Sequence, residues 1–98
     1  MPLFSFLCTD KPNSLELRMA TRPPHVEHLN ALNEKGILKM AGPFLDADGK
    51  PNGSLVIVET ATIEEAKALA DADPYAKAGL FEKVEVKPFN WVFNPPKA

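Results

Sequence analysis

Apolar and polar positions alternate through the opening stretch "PLFSFLCTD" until Asp10, Pro12 and Asn13 interrupt them. Alternation sends successive side chains to opposite faces of an extended chain, so the stretch predicts a strand followed by a turn. Asn13 is placed to cap a short helix, "SLELRMA". That helix is expected to break at Arg22, because a following proline crowds the helical conformation of the residue before it. A second helix then starts at Pro23 and Pro24, whose missing N–H groups cost nothing in a first turn. Val26, Leu29 and Leu32 line one side of it, and Gly36 ends it.

"ILKMAGPFL" predicts a strand, "DADGKPNG" a loop, and "SLVIVET" a strand that is apolar on both faces. Thr62 with Glu65 makes a capping box that opens the helix "IEEAKALADA", whose inner face carries Ile63, Ala66, Leu69 and Ala70. In the last strand, "LFEKVEVKPF", Val84 and Val86 alternate with Lys83, Glu85 and Lys87, so one face is wet, as near a sheet edge. The order β, α, β, β, α, β is that of the split βαβ plan. It predicts an α+β, ferredoxin-like βαββαβ fold, an antiparallel sheet with its helices on one face. No helix remains for the second face, toward which apolar residues of "PLFSFLC" and "LVIV" also point. A second copy of the chain is the simplest cover, so the expected assembly is a homodimer packed sheet on sheet, with "NWVF" reaching across.

Composition narrows this picture. A chain of 98 residues with 45% hydrophobic content can bury one core and hardly two, so residues 1–98 are expected to form a single domain. With a net charge of -2 and lysines spread among acids, there is no basic stripe, and no nucleic-acid partner is expected. The apolar opening is too short to span a bilayer and has no basic segment or cleavage pattern, so the expectation is a cytoplasmic protein with no membrane partner. Cys8, the one cysteine, cannot form an internal disulfide and, alternating with aromatic residues, reads as a buried, inert thiol. The closing "FNPPKA" reads as a proline-stiffened tail.

Two residues carry the candidate chemistry. His25 shares the inner face of Val26, Leu29 and Leu32 in a first helical turn, where the dipole disfavours a charged imidazole unless an anion is near. It is either a core histidine bonded to a backbone carbonyl or a general base; His28 falls at the border of the stripe and reads as a surface residue. Asp73 lies on the inner face of the last long helix, at the end where the dipole repels carboxylates. It can cap a short helix starting at Pro74, and a carboxylate has a second oxygen with which to accept an imidazole N–H. The two main helices are expected to run the same way, which puts the start of one and the end of the other at different heights, and a break at Arg22 would shift His25 part-way along the helical layer. Arg18 and Ser54 read singly as a solvated helix residue and a turn-end hydrogen bond, or together as donors to an oxyanion. Two histidines three apart without a third ligand predict no metal site, and no phosphate or dinucleotide motif points to a cofactor.

Taken in order, "DKPNSLELRMATRPPHVEHL", "GILKMAGP", "GSLVIVE" and "EEAKALADADPYAKAGLFEKVEVKPF" resemble the YciI-like (YCII-related) family nearly end to end. The resemblance implies a dimeric ferredoxin-like α+β barrel, related in shape to muconolactone isomerase, with a His–Asp dyad in the dimer's clefts. The family histidine after "RP" falls on His25 and its aspartate before proline on Asp73. By the same resemblance Pro74 orients the dyad, and Arg18 with Ser54 forms an oxyanion site. A member of the family acts as a chlorohydroxyhydroquinone dehydrochlorinase. The loop "FLDADGKPNG" is shorter here than in many relatives, and it borders the expected cleft.

The function expected is therefore a cofactor-independent lyase or isomerase that takes a proton from a small hydroxylated compound through His25 and Asp73. The competing expectation is a non-catalytic homodimer that binds a small ligand or another protein, in which the same polar residues only orient what is bound. Haem ligation by a lone histidine stands third, because it leaves Asp73 without a role.

Overall fold

In the computed structural model, which describes residues 1–96, β1 (Leu3–Asp10) leads into a long helix α1 (Leu15–Glu34). A hairpin of β2 (Leu38–Leu45) and β3 (Pro51–Glu59) follows, then α2 (Ile63–Ala72), the single turn α3 (Pro74–Lys77) and β4 (Phe81–Phe89). The strands form one sheet in the order β2-β3-β1-β4, and every neighbouring pair is antiparallel. This is the ferredoxin-like α+β arrangement expected from the element order. The last two residues of the "FNPPKA" tail, at 97 and 98, lie outside the described residues.

The period-two pattern of β1 sorts its side chains as predicted. Phe4, Phe6 and Cys8 face the helices, in register with Val58, Val56 and Ser54 of β3, and they pack with Ala66 and Ala70 of α2 and Leu29 of α1. Each such buried aliphatic or aromatic side chain contributes roughly 1.5–3 kcal/mol by leaving water. Gly53 permits the close approach of β3 to β1, since a Cβ there would sit 2.6 Å from the carbonyl oxygen of Cys8. Thr62 caps α2 by accepting from the Glu65 N–H at 3.2 Å.

Three local expectations are corrected. The N-cap of α1 is Ser14 rather than Asn13, which instead takes a left-handed φ of 57° that asparagine tolerates better than most residues. β3 begins at Pro51, earlier than the apolar run, because the Asp46 carboxylate accepts from the N–H groups of Asp48 and Lys50 and tightens the hairpin turn. Most consequential, α1 does not break at Arg22 but continues through Pro23 and Pro24. An interior proline costs roughly 3 kcal/mol. Here the carbonyls that lose their partners belong to Met19 and Ala20, both exposed, so water can serve them. Buried anchors lie on either side of the prolines, at Arg18 and His25, and hold the helix to one direction.

The relative direction of the helices is a fourth correction. β1 and β3 are antiparallel, and each helix doubles back along the strand before it, so α1 and α2 run opposite ways. The C-terminal end of α2 is thereby brought toward the middle of α1. No break is needed: His25 is the eleventh of the 20 residues of α1, and it meets the residue just beyond α2. The sheet face away from the helices carries Leu3, Leu7, Leu55 and Ile57 in the centre, with the exposed Met40, Phe44 and Phe89 around them. Among the described residues no helix is long and apolar enough to cross a membrane.

Candidate functional site

Where β1 ends and β3 begins, Asp10 and Ser54 sit on the helix-facing side of the sheet, and Arg18 from the first turn of α1 reaches both. Its Nη1 donates to the two carboxylate oxygens of Asp10 at 3.0 and 2.9 Å, and its Nη2 donates to Ser54 Oγ at 2.7 Å. Arg18 is thus a buried side chain, 5% exposed, and not a solvated one. Burial pushes the Asp10 carboxyl above the usual carboxylate range, and the Arg18 guanidinium draws it part of the way back. Ser54 accepts from Arg18 through oxygen, so its own O–H stays free to donate.

Two turns further along α1, on the same face as Arg18, His25 places Nδ1 2.8 Å from Oδ1 of Asp73. A carboxylate only accepts, so Nδ1 donates in this contact, and in the neutral ring Nε2 on the far edge keeps its lone pair. The backbone N–H of Tyr75 donates to the same Oδ1 at 2.9 Å, which makes Asp73 the N-cap of α3. The expectation of one oxygen for each donor is therefore corrected: one oxygen takes both. Asp73 has φ -62° and ψ 129°, the extended backbone that a following proline favours. That conformation ends α2 and turns the carboxylate toward α1.

Tyr75, 2% exposed, fills the space between the two anchors. Its ring stacks on His25 at 3.9 Å between centroids and 18° between planes, and the Arg18 guanidinium carbon lies 4.8 Å from its centroid. Arg18 and His25 are about 10 Å apart along the helix axis, a gap that one aromatic ring with two contact distances can bridge. Burial raises the Tyr75 hydroxyl above its ordinary value, and the Arg18 and Arg22 charges oppose this.

Reading the sequence missed Asp10 and Tyr75. Asp10 had a signal: it continues the inward series Phe4, Phe6, Cys8, and a carboxylate on an inward position calls for a buried cation. Tyr75 had none, since nothing local shows what an aromatic residue after Asp-Pro will stack on. His28 is half-buried and does not line the cavity described next.

A cavity of about 350 Å³ opens over these residues, with Arg18, Arg22, His25 and Ser54 on its polar side and Val26 and Leu29 among its apolar wall. Tyr75 also lines it. A larger cleft of about 920 Å³ lies at the other end of the sheet between Leu3, Leu38, Phe89 and Trp91. It contains no histidine, and its charged side chains, Lys39 and Glu59, face each other at 3.9 Å, so the candidate residues gather at the smaller cavity. Cys8 is buried, and burial, followed by the charges of Asp73 and Asp10, pushes its thiol up to about 12, which leaves no thiolate at neutral pH. Among the described residues no group of three or more His, Cys, Asp or Glu side chains is placed to hold a metal ion.

Comparison with known proteins places this arrangement in context. The YCII-related domain family matches residues 2–90. The protein YciI of Escherichia coli is 43% identical over 97 residues, covering 93% of this chain and 99% of the relative. The derivative of benzaldehyde biosynthesis cluster protein C of Emericella nidulans is 36% identical over 86 residues, covering 79% of this chain and 88% of the relative. Among solved structures, the 5-chloro-2-hydroxyhydroquinone dehydrochlorinase of Burkholderia phenoliruptrix, in complex with 2,5-dihydroxybenzoquinone, superposes with a TM-score of 0.84 at 29% identity. That similarity covers 96% of this chain and 99% of the other. An antibiotic biosynthesis monooxygenase, with a TM-score of 0.56 at 12% identity, shares the fold alone.

Proposed function

The chain belongs to the YCII-related family, and from that premise we propose that it is a cofactor-independent lyase or isomerase acting on a small hydroxylated compound of aromatic or enol type. The observation that carries this reading is the contact of His25 Nδ1 with Asp73 at 2.8 Å beside a cavity large enough for one ring. Nε2 of His25 takes a proton from the bound compound, and the electron pair of the broken bond enters the conjugated system as an enolate. Asp73 holds the tautomer and stabilises the imidazolium that forms. The free O–H of Ser54 and the remaining N–H groups of Arg18 meet the developing oxygen charge. A leaving group such as chloride can then depart with its bonding pair, and the dehydrochlorinase with a TM-score of 0.84 supports that class of outcome.

In this reading the protein is a cytoplasmic homodimer. Its open sheet face carries Met40 at 41% and Phe89 at 39% exposure, and Val92 and Phe93 beyond β4 are 65% and 83% exposed, which is the apolar surface a second copy would cover. One observation favours the non-catalytic alternative of a ligand-binding homodimer. Among the described residues no fully buried side-chain nitrogen or oxygen is without a partner, so the buried network of Asp10, Arg18, Ser54, His25 and Asp73 holds together without a substrate. Turnover separates the two. A panel of hydroxylated aromatics, chlorinated and not, is assayed with wild type and with His25→Ala shown by circular dichroism to be folded. Loss of about a hundredfold or more in turnover is expected. A folded His25→Ala protein that turns over a substrate like wild type removes the proposal.

A further inference from the structure

We infer that Arg22 selects the charge of what enters the cavity, and that the ligand is a small planar oxyanion, such as an ionised hydroxyquinone or enediol, gripped by this guanidinium at the rim. The inference rests on the small-molecule reading above and deepens it by assigning a residue and a ligand charge.

The charges around the cavity are one-sided. Its lining includes Arg18, Arg22 and His25 but no aspartate or glutamate, in a chain whose net charge is -2. The two arginines are not equivalent. Arg18 is matched by Asp10 at 2.9 Å, so its charge is answered before any ligand arrives. Arg22 is exposed and takes part in none of the ion pairs among the described residues, so it presents an unanswered positive charge. On α1 it stands four residues after Arg18 and three before His25, which puts it on the same side of the helix as both.

Geometry ties its charge to the site: Arg22, Tyr75 and His25 line the same cavity, and Tyr75 is the ring stacked on His25. The Arg22 charge opposes the upward push of burial on the Tyr75 hydroxyl, while Asp73 and Asp10 add to it. An anion entering the cavity would meet a wall that carries both Arg22 and His25. A guanidinium offers a planar fork of donors, which suits two adjacent oxygens on a flat ring better than a single charge point does. The division of labour follows: Arg18 and Ser54 form a neutralised, buried floor, and Arg22 supplies the net attraction.

The test is binding of two ring compounds of similar size by calorimetry at low and raised salt. One is 2,5-dihydroxybenzoquinone, an acid ionised at neutral pH, and the other is hydroquinone, which is uncharged there. Wild type is expected to prefer the anion and to lose affinity as salt rises. Arg22→Gln, checked by circular dichroism, is expected to weaken the anion about tenfold or more and to leave the neutral ring unchanged. Arg22→Lys is expected to recover part of the loss, because it restores charge but not the fork. If Arg22→Gln binds the anion as wild type does, with the same salt dependence, Arg22 is not the selector, although the cavity still binds. If wild type binds neither compound, the inference fails together with the small-ring reading of the cavity.

Discussion

Oδ1 of Asp73 lies 2.8 Å from Nδ1 of His25 and 2.9 Å from the backbone nitrogen of Tyr75, so one oxygen orients an imidazole and starts a helix. Removing the side chain therefore removes two bonds. Asp73→Ala is expected to lose about 1–3 kcal/mol in urea denaturation, from the cap and the stranded imidazole N–H. Asp73→Asn, which keeps an acceptor oxygen, should lose less. Nitrogen-15 spectra of the wild-type histidine should report a proton on Nδ1, and a dominant Nε2–H form would sink the assignment.

Arg18 and Asp10 answer to a different balance. Burial lifts the Asp10 carboxyl in spite of Arg18, so desolvation outweighs the attraction between them. Removing one partner, as in Asp10→Ala, leaves a buried guanidinium alone and should cost roughly 3–5 kcal/mol. The double substitution Asp10→Leu with Arg18→Met should be far less destabilising than the two single losses added together. Additive losses in the double-mutant cycle would show that the pair does not act as a unit.

Cys8 predicts an alkaline limb in the stability curve. Its folded value is raised from 9.0 to about 12, so its contribution is complete below pH 9 and is lost as pH climbs toward 12. Over that window wild type should lose stability relative to Cys8→Ala with a slope approaching about 1.4 kcal/mol per pH unit. The folded protein should also resist alkylation at pH 8. Rapid labelling under native conditions, or parallel curves for the two proteins, would contradict the burial seen here.

The open sheet face makes the assembly measurable. Light scattering on the wild-type protein should give twice the 10.7 kDa chain mass. Leu7→Asp, which puts a charge on the half-buried Leu7 of that face, should shift the protein to monomer while its circular dichroism is retained. A wild-type protein that scatters as a single chain at micromolar concentration would remove the homodimer.

What could be read along the chain was what short-range periodicity controls. Alternation in β1, the Thr62 cap on the Glu65 N–H and the Asp73-Pro74 step each depend on a few neighbouring residues, and each appears in the structure where the pattern put it. The inward facing of His25 was legible for the same reason. The other half of the capping box is displaced, since the Glu65 carboxylate accepts from Ala61, and in β4 Val84 is exposed on the face expected to be dry. Local rules misled where distant contacts opposed them. The steric rule before proline ended α1 at Arg22 on paper, yet buried anchors at Arg18 and His25 carry the helix through.

The site itself needed the third dimension. Nothing near Arg18 in sequence shows that it will be buried against Ser54, 36 residues away, and nothing near Asp73 shows that it will meet His25, 48 residues away. Those meetings follow from the antiparallel pairing of β1 with β3, which reverses α2 relative to α1 and brings the end of one helix to the other. By itself the sequence determined the elements, their order and which side of each faces inward, because those depend on local sterics and on the spacing of apolar residues. Only the tertiary structure decided which inward polar groups share a hydrogen bond, because that depends on how strands pair and helices return over the sheet.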